Sequence, residues 1–164
     1  MLIRRYTPKD FQAIAEIYNE AIIQGAITMD CTPQSAEDVR SLTEKFHHRE
    51  TILMAEQDEG VVGWGIIKRY SDRPGYNFCC ETSIYLTFRE TRKGYGSLLQ
   101  KALLQQVMEF GYHHVVAKIL AANSGSIAFH QRFGFEIVGV QKEIGFLQGE
   151  WCDVVILQLI LSEN

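Results

Sequence analysis

A short glycine-containing segment, Arg92-Lys93-Gly94-Tyr95-Gly96-Ser97, most restricts how this chain can fold. It lies between an apolar run typical of a strand and a long stretch with helical spacing. Glycines at a helix start let the main chain approach a ligand closely, and the free N–H groups and the positive end of the helix dipole favour an anion such as a phosphate. Nearby basic side chains add positive charge: Arg89, Arg92 and Lys93. A structural turn that happens to contain two glycines explains the segment equally well.

Helical spacing of apolar residues predicts four helices. The first begins at Thr7-Pro8, where a capping residue precedes a proline. The second follows Ser35, and its inward face holds Val39, Leu42 and Phe46. The other two cover Gly96–Phe110 and Ser124–Phe133.

Short apolar runs between the helices predict strands. They are Thr51–Glu56, Val61–Lys68, Cys79–Phe88, His114–Leu120, Glu136–Gln141 and Asp153–Leu161, and the turn Asp58-Glu59-Gly60 joins the first two. Strand–helix–strand units mixed with hairpins favour an α/β fold of the mixed-sheet, α+β type. The length predicts a single domain over residues 1–164.

Charge and composition exclude several classes of protein. The 164 residues carry 16 Lys and Arg against 20 Asp and Glu, a net charge of −4, which argues against a nucleic-acid or anionic-membrane binder. No run approaches the ~18 apolar residues of a transmembrane helix. The N-terminus has no signal-peptide pattern, so we expect a cytoplasmic protein. The cysteines lack CxxC spacing and are expected to be free thiols: Cys31, Cys79, Cys80 and Cys152.

Other phosphate-binding, nucleophilic and metal chemistries find little support. No GxxxxGK[ST] string is present, and the third glycine and the downstream acid of a dinucleotide-binding unit are missing. No local signature supports a Cys–His–Asp nucleophile among the cysteines. The pairs His47-His48 and His113-His114 lack metal-ligand spacing, so we expect no metal site.

The glycine-containing segment and a second stretch resemble the GCN5-related N-acetyltransferase (GNAT) superfamily. Members carry Gln/Arg-x-x-Gly-x-Gly/Ala between a strand and a helix, where it holds the pyrophosphate of acetyl-CoA. Thr91-Arg92-Lys93-Gly94-Tyr95-Gly96 matches this motif except at Thr91. Residues 122–135 resemble the family's second cofactor segment. The resemblance implies acetyl-CoA as co-substrate and a mostly antiparallel sheet, flanked by helices and splayed at the cofactor cleft.

Five further stretches are similar to phosphinothricin N-acetyltransferase-like proteins, the subgroup that includes methionine sulfone and methionine sulfoximine acetyltransferases. They are Tyr18-Asn19, Ala26–Asp30, Asp72–Tyr76, Glu81–Tyr85 and Gly145–Asp153. The matches run in order from about residue 3 to residue 161. Typical members are cytoplasmic homodimers, so the resemblance implies a second copy of the chain and a small-molecule amine substrate, with no nucleic acid or membrane partner.

The resemblance assigns candidate catalytic roles to two residues. Glu81 corresponds to a glutamate thought to act as general base through water; without the resemblance it is a solvated edge-strand residue. His130 stands where many members carry a tyrosine that protonates the departing thiolate, and it can equally well only pack or bind cofactor. Main-chain N–H groups near Tyr85, Leu86 and Thr87 are expected to stabilise the oxyanion.

The remaining candidate residues hold the cofactor or the acceptor. The predicted cofactor set comprises Tyr85, Leu86, Thr87, Arg92, Lys93, Gly94, Tyr95, Gly96, Ser97, Asn123 and Ser126. Asn123 and Ser126 also suit a helix cap. Arg73 and Tyr76 lie in a Pro-Gly loop, where an arginine suits a carboxylate or phosphinate, or is simply at the surface. The resemblance implies that the aromatic residues Phe146 and Trp151 form a wall of the acceptor pocket, either across a dimer interface or within one chain. Alternatively, the two rings only pack against each other in a hairpin. Tyr18 and Thr28 complete the candidate substrate-binding set.

The leading hypothesis is therefore an acetyl-CoA-dependent N-acetyltransferase that acts on a small amino-acid-like amine by direct attack. A second reading keeps the fold and changes the acceptor to a protein N-terminus or a polyamine. A third is a non-catalytic CoA-binding module with regulatory partners.

Overall fold

A single mixed β-sheet forms the centre of the fold, and the helices pack on it. The computed structural model describes residues 1–58 and 60–161, and within them it has seven strands and four α-helices. The strands are β1 (Leu2–Arg5), β2 (Thr51–Gln57), β3 (Gly60–Arg69), β4 (Cys79–Leu86), β5 (His114–Leu120), β6 (Glu136–Leu147) and β7 (Glu150–Ile160). The helices are α1 (Phe11–Gln24), α2 (Ala36–Thr43), α3 (Tyr95–Glu109) and α4 (Ser124–Arg132).

The strands follow the order β1-β2-β3-β4-β5-β7-β6 across the sheet. Neighbouring strands are antiparallel except for β4 and β5, which are parallel. The parallel pair is linked through α3, as a crossover connection requires. The predicted mixed, mostly antiparallel sheet is confirmed.

The parallel pair separates soon after it begins. Strands β4 and β5 pair only from Cys79 opposite His114 to Glu81 opposite Val116. Strand β4 then continues to Leu86 and β5 to Leu120 without further pairing between them. The sheet is therefore splayed between its fourth and fifth strands, as the resemblance implied.

The helices cover the two faces of the sheet with separate apolar cores. Because side chains of a strand alternate between faces, Ile52 and Met54 of β2 pack with α1 and α2, and Leu53 and Ala55 pack with α3. Helix α3 buries Leu99, Leu103 and Val107, none of them measurably exposed to solvent. These two cores hold the helices against the two faces of the splayed sheet.

The start of α1 depends on the strand that precedes it. Pro8–Asp10 form one turn of 3₁₀ helix before α1, and Asp10 accepts a hydrogen bond from the N–H of Thr7 at 2.6 Å. Arg4 of β1 donates two further bonds to Asp10, each 2.8 Å long. The guanidinium of Arg4 lowers the pKa of Asp10 to about 2. Strand β1 thereby anchors the first helix.

Three details of the sequence-based description differ from the structure, and two predicted segments cannot be compared with it. Strand β1 was not predicted, because four residues that alternate little give no strand period. Helix α2 ends at Thr43, so Phe46 packs from the following turn rather than from the helix. Strands β6 and β7 extend to a tight hairpin at Leu147 and Glu150, beyond their predicted ends. Glu59 of the predicted turn and residues 162–164 of the predicted domain lie outside the described residues.

Candidate active site

The glycine-containing segment forms an exposed turn before α3. Arg92 and Gly94 have positive φ values of 64° and 85°, and Gly94 is the N-terminal cap of the helix. A glycine supplies no capping side chain, so the first N–H groups of a 15-residue helix remain available to a ligand. A Cβ added at Gly94 would have no described atom within 4 Å, so the turn faces open space.

Gly96 serves a different purpose in the first turn of α3. A Cβ at this position would lie 3.3 Å from Leu86 Cδ1 and 3.7 Å from the ring of Phe129. Its absence lets the helix start approach β4 and α4 closely. The two glycines of the motif therefore have separate roles, one in the turn and one in packing.

Two side chains of the turn make contacts with other residues of the same turn region. Lys93 Nζ contacts Glu90 Oε1 at 3.0 Å, and Thr91 Oγ1 donates to the carbonyl of Phe88 at 2.9 Å. Thr91 stands at the motif position where family members carry Gln or Arg. Arg92 is exposed and lines the neighbouring cleft, so it is the basic side chain of the turn best placed for an anion.

This cofactor-side cleft has a volume of about 650 Å³ and runs from the turn to the start of α4. Most of the predicted cofactor residues line it: Tyr85, Leu86, Arg92, Gly94, Gly96, Ser97, Asn123 and Ser126. Thr87, Lys93 and Tyr95 are outside its lining. Asn123 Oδ1 accepts from the N–H of Ser126 at 3.1 Å, so Asn123 also caps α4 and keeps its amide Nδ2 for another partner.

Main-chain N–H groups on β4 point alternately to β3 and to the gap beside β5. The N–H of Thr87 donates to the carbonyl of Val62 on the β3 side at 2.9 Å. Since successive N–H groups of a strand point to opposite neighbours, the N–H of Leu86 faces the gap. Of the three positions suggested for oxyanion stabilisation, Leu86 therefore fits and Thr87 does not.

A larger cavity of about 950 Å³ lies on the other side of the gap, and we call it the acceptor cavity. Its polar lining includes the alternate residues Glu81, Ser83 and Tyr85 of β4. Predicted substrate residues Thr28 and Tyr76 also line it. Tyr85 borders both this cavity and the cofactor-side cleft, so the two spaces meet beside β4.

Glu81 forms an ion pair in the wall of the acceptor cavity. Its Oε2 is 2.8 Å from Nζ of Lys118, and the two side chains are 32% and 44% exposed. Glu81 also borders a second cavity of about 380 Å³ beneath α1 and α2. The structure thus places Glu81 at the last paired position of β4 and β5, with a cavity on both sides.

Lys118 was not among the residues that the sequence suggested. It follows Val116, the partner of Glu81, by two positions and so lies on the same face of the sheet. Its neighbours Ala117 and Ile119 are 1% and 7% exposed. A single charge inside an otherwise apolar strand is the signal that could have found it.

Tyr18 ties the loop after α1 to the site. Its hydroxyl accepts from Thr28 Oγ1 at 2.6 Å and donates to Asp30. Its ring packs edge-on against Tyr85, with centroids 5.0 Å apart. Burial raises the pKa of both phenols, that of Tyr85 to about 12.

His130 lies beside the gap and is buried to 4% exposure. Its Nδ1 donates to the carbonyl of Ser126 at 2.8 Å, and its ring packs edge-on against Phe129 and Phe135. Burial lowers the pKa of His130 below 6.5, although the bond to Ser126 opposes the shift. A neutral ring whose one proton is already donated favours the packing interpretation over that of an acid.

Three predicted substrate residues line neither the acceptor cavity nor the cofactor-side cleft. Arg73 is exposed in the Pro-Gly loop and is not a lining residue. Phe146 and Trp151 face each other across the hairpin of β6 and β7, with centroids 5.0 Å apart, and are 56% and 65% exposed. Within one chain the structure does not bring them to Glu81.

Residues 3–156 match the family described as the acetyltransferase (GNAT) domain. The chain belongs to the GNAT acetyltransferase family. As a GNAT acetyltransferase it takes its acetyl group from acetyl-CoA, and the exposed N–H groups at the start of α3 fit the phosphates of that molecule. Among the described residues no group of three or more His, Cys, Asp or Glu side chains is placed to hold a metal ion. Nor does any helix of residues 1–58 and 60–161 combine the length and apolar character needed to cross a membrane.

Two curated relatives and one solved structure illustrate the family match. An L-amino acid N-acyltransferase, MnaT, of Escherichia coli is 29% identical over 100% of this chain and 96% of that protein. An L-methionine sulfoximine/L-methionine sulfone acetyltransferase of Salmonella typhimurium is 28% identical, with the same coverage. The crystal structure of a phosphinothricin acetyltransferase from Sinorhizobium meliloti in complex with AcCoA has a TM-score of 0.93 and 30% identity, covering 99% of this chain and 89% of that one. This GNAT protein is thus related to phosphinothricin and methionine sulfoximine acetyltransferases over its full length.

Proposed function

We propose that this GNAT protein acetylates the amino group of a small amino-acid-like molecule of the phosphinothricin, methionine sulfoximine or methionine sulfone type, with Glu81 as general base. The observation that carries the proposal is the position of Glu81. It lies at the last paired position of β4, in the cavity that joins the cofactor-side cleft at Tyr85. An amine bound in that cavity lies between the carboxylate of Glu81 and the cofactor-side cleft. The names of the relatives support the choice of acceptor.

On the cofactor side, we assign phosphate binding to the turn before α3. Arg92 supplies a guanidinium, and the main chain of Gly94 and Gly96 supplies N–H groups at the positive end of the helix. Nδ2 of Asn123 and the side chain of Ser126 line the cleft between the turn and the gap, where they suit the polar groups of a pantetheine arm.

Acetyl-CoA supplies the acetyl group as a thioester, and transfer to an amine forms a C–N bond, breaks the C–S bond and leaves the thiol of CoA and an amide. The amine enters as an ammonium, and its nitrogen loses two protons on the way to the amide. Glu81 accepts one of them, directly or through a water molecule in the cavity that it lines, and the other goes to the departing thiolate of CoA. The N–H of Leu86 faces the gap and is placed to stabilise negative charge on the carbonyl oxygen.

The test is release of CoA thiol from acetyl-CoA with a panel of amines. The panel contains L-methionine sulfone, L-methionine sulfoximine, phosphinothricin, a polyamine and a peptide with a free N-terminus. We expect turnover with the amino acids and a strong loss of turnover in Glu81→Gln. Turnover with the peptide or the polyamine alone would overturn the acceptor class. Tight acetyl-CoA binding without turnover of any amine would favour a CoA-binding module.

We further propose that the protein forms a homodimer through β6 and the adjoining hairpin. Apolar side chains here are about half exposed at the edge of the sheet: Ile137, Val138, Val140, Ile144, Phe146 and Trp151. An apolar edge of this length is expected to be covered in solution. Sedimentation should show a dimer that Val140→Asp weakens, while Ile23→Asp, at an exposed position of α1, should leave it intact. A monomeric wild-type protein would refute the proposal.

A cytoplasmic location stays a prediction from the sequence.

A further inference from the structure

Opposite charges in the acceptor cavity come from two adjacent side chains. Among the described residues that line this cavity, Glu81 is the one Asp or Glu and Lys118 the one Lys or Arg. Their charged atoms are 2.8 Å apart. The two histidines of the lining, His113 and His114, lie at the other end of β5. The cavity therefore presents one negative and one positive group side by side.

The two charges match the shape of a free α-amino acid. Such a molecule carries an ammonium and a carboxylate on the same carbon, so its own charges are also close together. Polyamines lack the carboxylate, and a peptide N-terminus has an amide in its place. A carboxylate and an ammonium side by side therefore complement a free amino acid better than a polyamine or a peptide N-terminus.

We propose that Lys118 binds the α-carboxylate of the acceptor and thereby selects a free amino acid over other amines. This inference rests on the proposed function and adds to it the residue that recognises the carboxylate. Arg73, the sequence-based candidate for this task, is exposed outside the cavity, whereas Lys118 lies inside it and next to the proposed base. A carboxylate on Lys118 places its neighbouring amine at Glu81.

The ion pair can open to admit the substrate. Both side chains are partly exposed, and pairs of this kind contribute little to stability. The substrate replaces one ion pair by two, ammonium with Glu81 and carboxylate with Lys118. Tyr70, whose ring centroid is 5.5 Å from Lys118 Nζ, supports the lysine from its other side.

The experiment compares two acceptors that differ only in the carboxylate: L-methionine sulfone and its decarboxylated amine, 3-(methylsulfonyl)propylamine. In Lys118→Met we expect kcat/KM for the amino acid to fall about 10- to 100-fold, mainly through KM, and that for the amine to change by less than about 3-fold. Lys118→Arg should restore much of the preference. Lys45→Met, a matched charge change at an exposed residue outside every cavity described above, should behave as wild type.

Each alternative outcome identifies what has failed. Equal losses with both acceptors would mean that Lys118 only positions Glu81, which overturns the inference and leaves the proposed function intact. Unchanged kinetics in a folded Lys118→Met protein would also overturn it. Wild-type protein that acetylates the decarboxylated amine as efficiently as the amino acid would overturn the inference as well, and wild-type protein that acetylates none of the three amino acids of the panel would instead refute the proposed function. Circular dichroism and acetyl-CoA affinity of each variant show that the fold and the cofactor side are preserved.

Discussion

The two sides of the gap between β4 and β5 are built from different parts of the chain. On the cofactor side, the proposed phosphate-binding groups come from one continuous segment, the turn at Gly94 and the first turn of α3, and most of them are main-chain N–H groups. On the acceptor side, the groups are side chains from β4, β5 and two loops that meet only in the folded protein. The first side depends on a local helix start, whereas the second depends on the tertiary structure.

This difference predicts that substitutions fall into two groups, those that affect acetyl-CoA binding and those that affect the reaction of the amine. A change in the cofactor turn should weaken acetyl-CoA binding and leave the chemistry of the amine unaltered. A change at Glu81 or around it should leave acetyl-CoA binding unaltered, since Glu81 is outside the cofactor-side cleft. The substitutions below test this division, and each can contradict it.

The largest effect is expected from Glu81→Gln. This change keeps the shape of the side chain and removes the base, so kcat should fall by about 10²- to 10⁴-fold. The dissociation constant of acetyl-CoA, measured by calorimetry, should stay within about 2-fold of wild type, a factor worth well under 1 kcal/mol. A pH–rate profile that keeps its wild-type shape would remove Glu81 as the base.

On the cofactor side, Gly94→Val should weaken acetyl-CoA binding by about 10- to 100-fold, because a β-branched residue is strained at a φ of 85° and would deform the turn. The KM for the amine should change little. Gly94→Asn is the control, since asparagine tolerates positive φ. If the asparagine variant binds acetyl-CoA as weakly as the valine variant, the loss comes from bulk in the open space beside Gly94 rather than from backbone strain.

The same division explains what could be predicted from the sequence. The turn of the cofactor side is local, so the spacing of Gly94 and Gly96 before a helical pattern was enough to predict the turn, and its binding of phosphate stays a proposal. The expected splay of the sheet and the proposed role of Glu81 came from family resemblance, because no local pattern shows where two strands stop pairing. Lys118 was missed because its partner, Glu81, lies in a different strand on the far side of α3 in the chain.

Errors in the predicted elements have a similar origin. Residues of β1 are recognisable as a strand only by their pairing with β2, from Leu2 opposite Glu56 to Arg5 opposite Leu53. The assignment of Arg73, Phe146 and Trp151 to the substrate is not among these errors and stays a prediction, since where their side chains lie depends on tertiary structure. Their exposure in one chain is consistent with a role at the surface between two copies, which the sedimentation experiment examines.

A smaller effect on the acceptor side is expected from Tyr18→Phe. The variant loses the hydrogen bonds of the hydroxyl to Thr28 and Asp30, which hold the loop that lines the acceptor cavity. The KM for the amine should rise about 3- to 10-fold, the equivalent of one ordinary hydrogen bond. Acetyl-CoA affinity should not change. If both constants change together, the two sides are coupled through the ring contact of Tyr18 with Tyr85, and the division is weaker than proposed.

His130 lies between the two sides and is expected to have the smallest kinetic effect. His130→Asn keeps a donor near Nδ1, and His130→Phe keeps an aromatic ring; if the residue only packs, kcat at neutral pH should stay within about 3-fold in both variants. A fall of about 10²-fold in both folded variants would restore the role of an acid.

Stability provides the independent measurement for His130. Because burial lowers its pKa in the folded protein, the unfolded chain takes up a proton more readily as the pH falls through about 6.5. Wild-type protein should therefore lose unfolding free energy between neutral pH and mildly acidic pH, and this contribution should be absent from both variants. Urea unfolding on the two sides of this pH window measures the difference. An equal acid loss in wild type and variants would mean that another group titrates, and that the buried ring does not contribute to the pH dependence of the unfolding free energy.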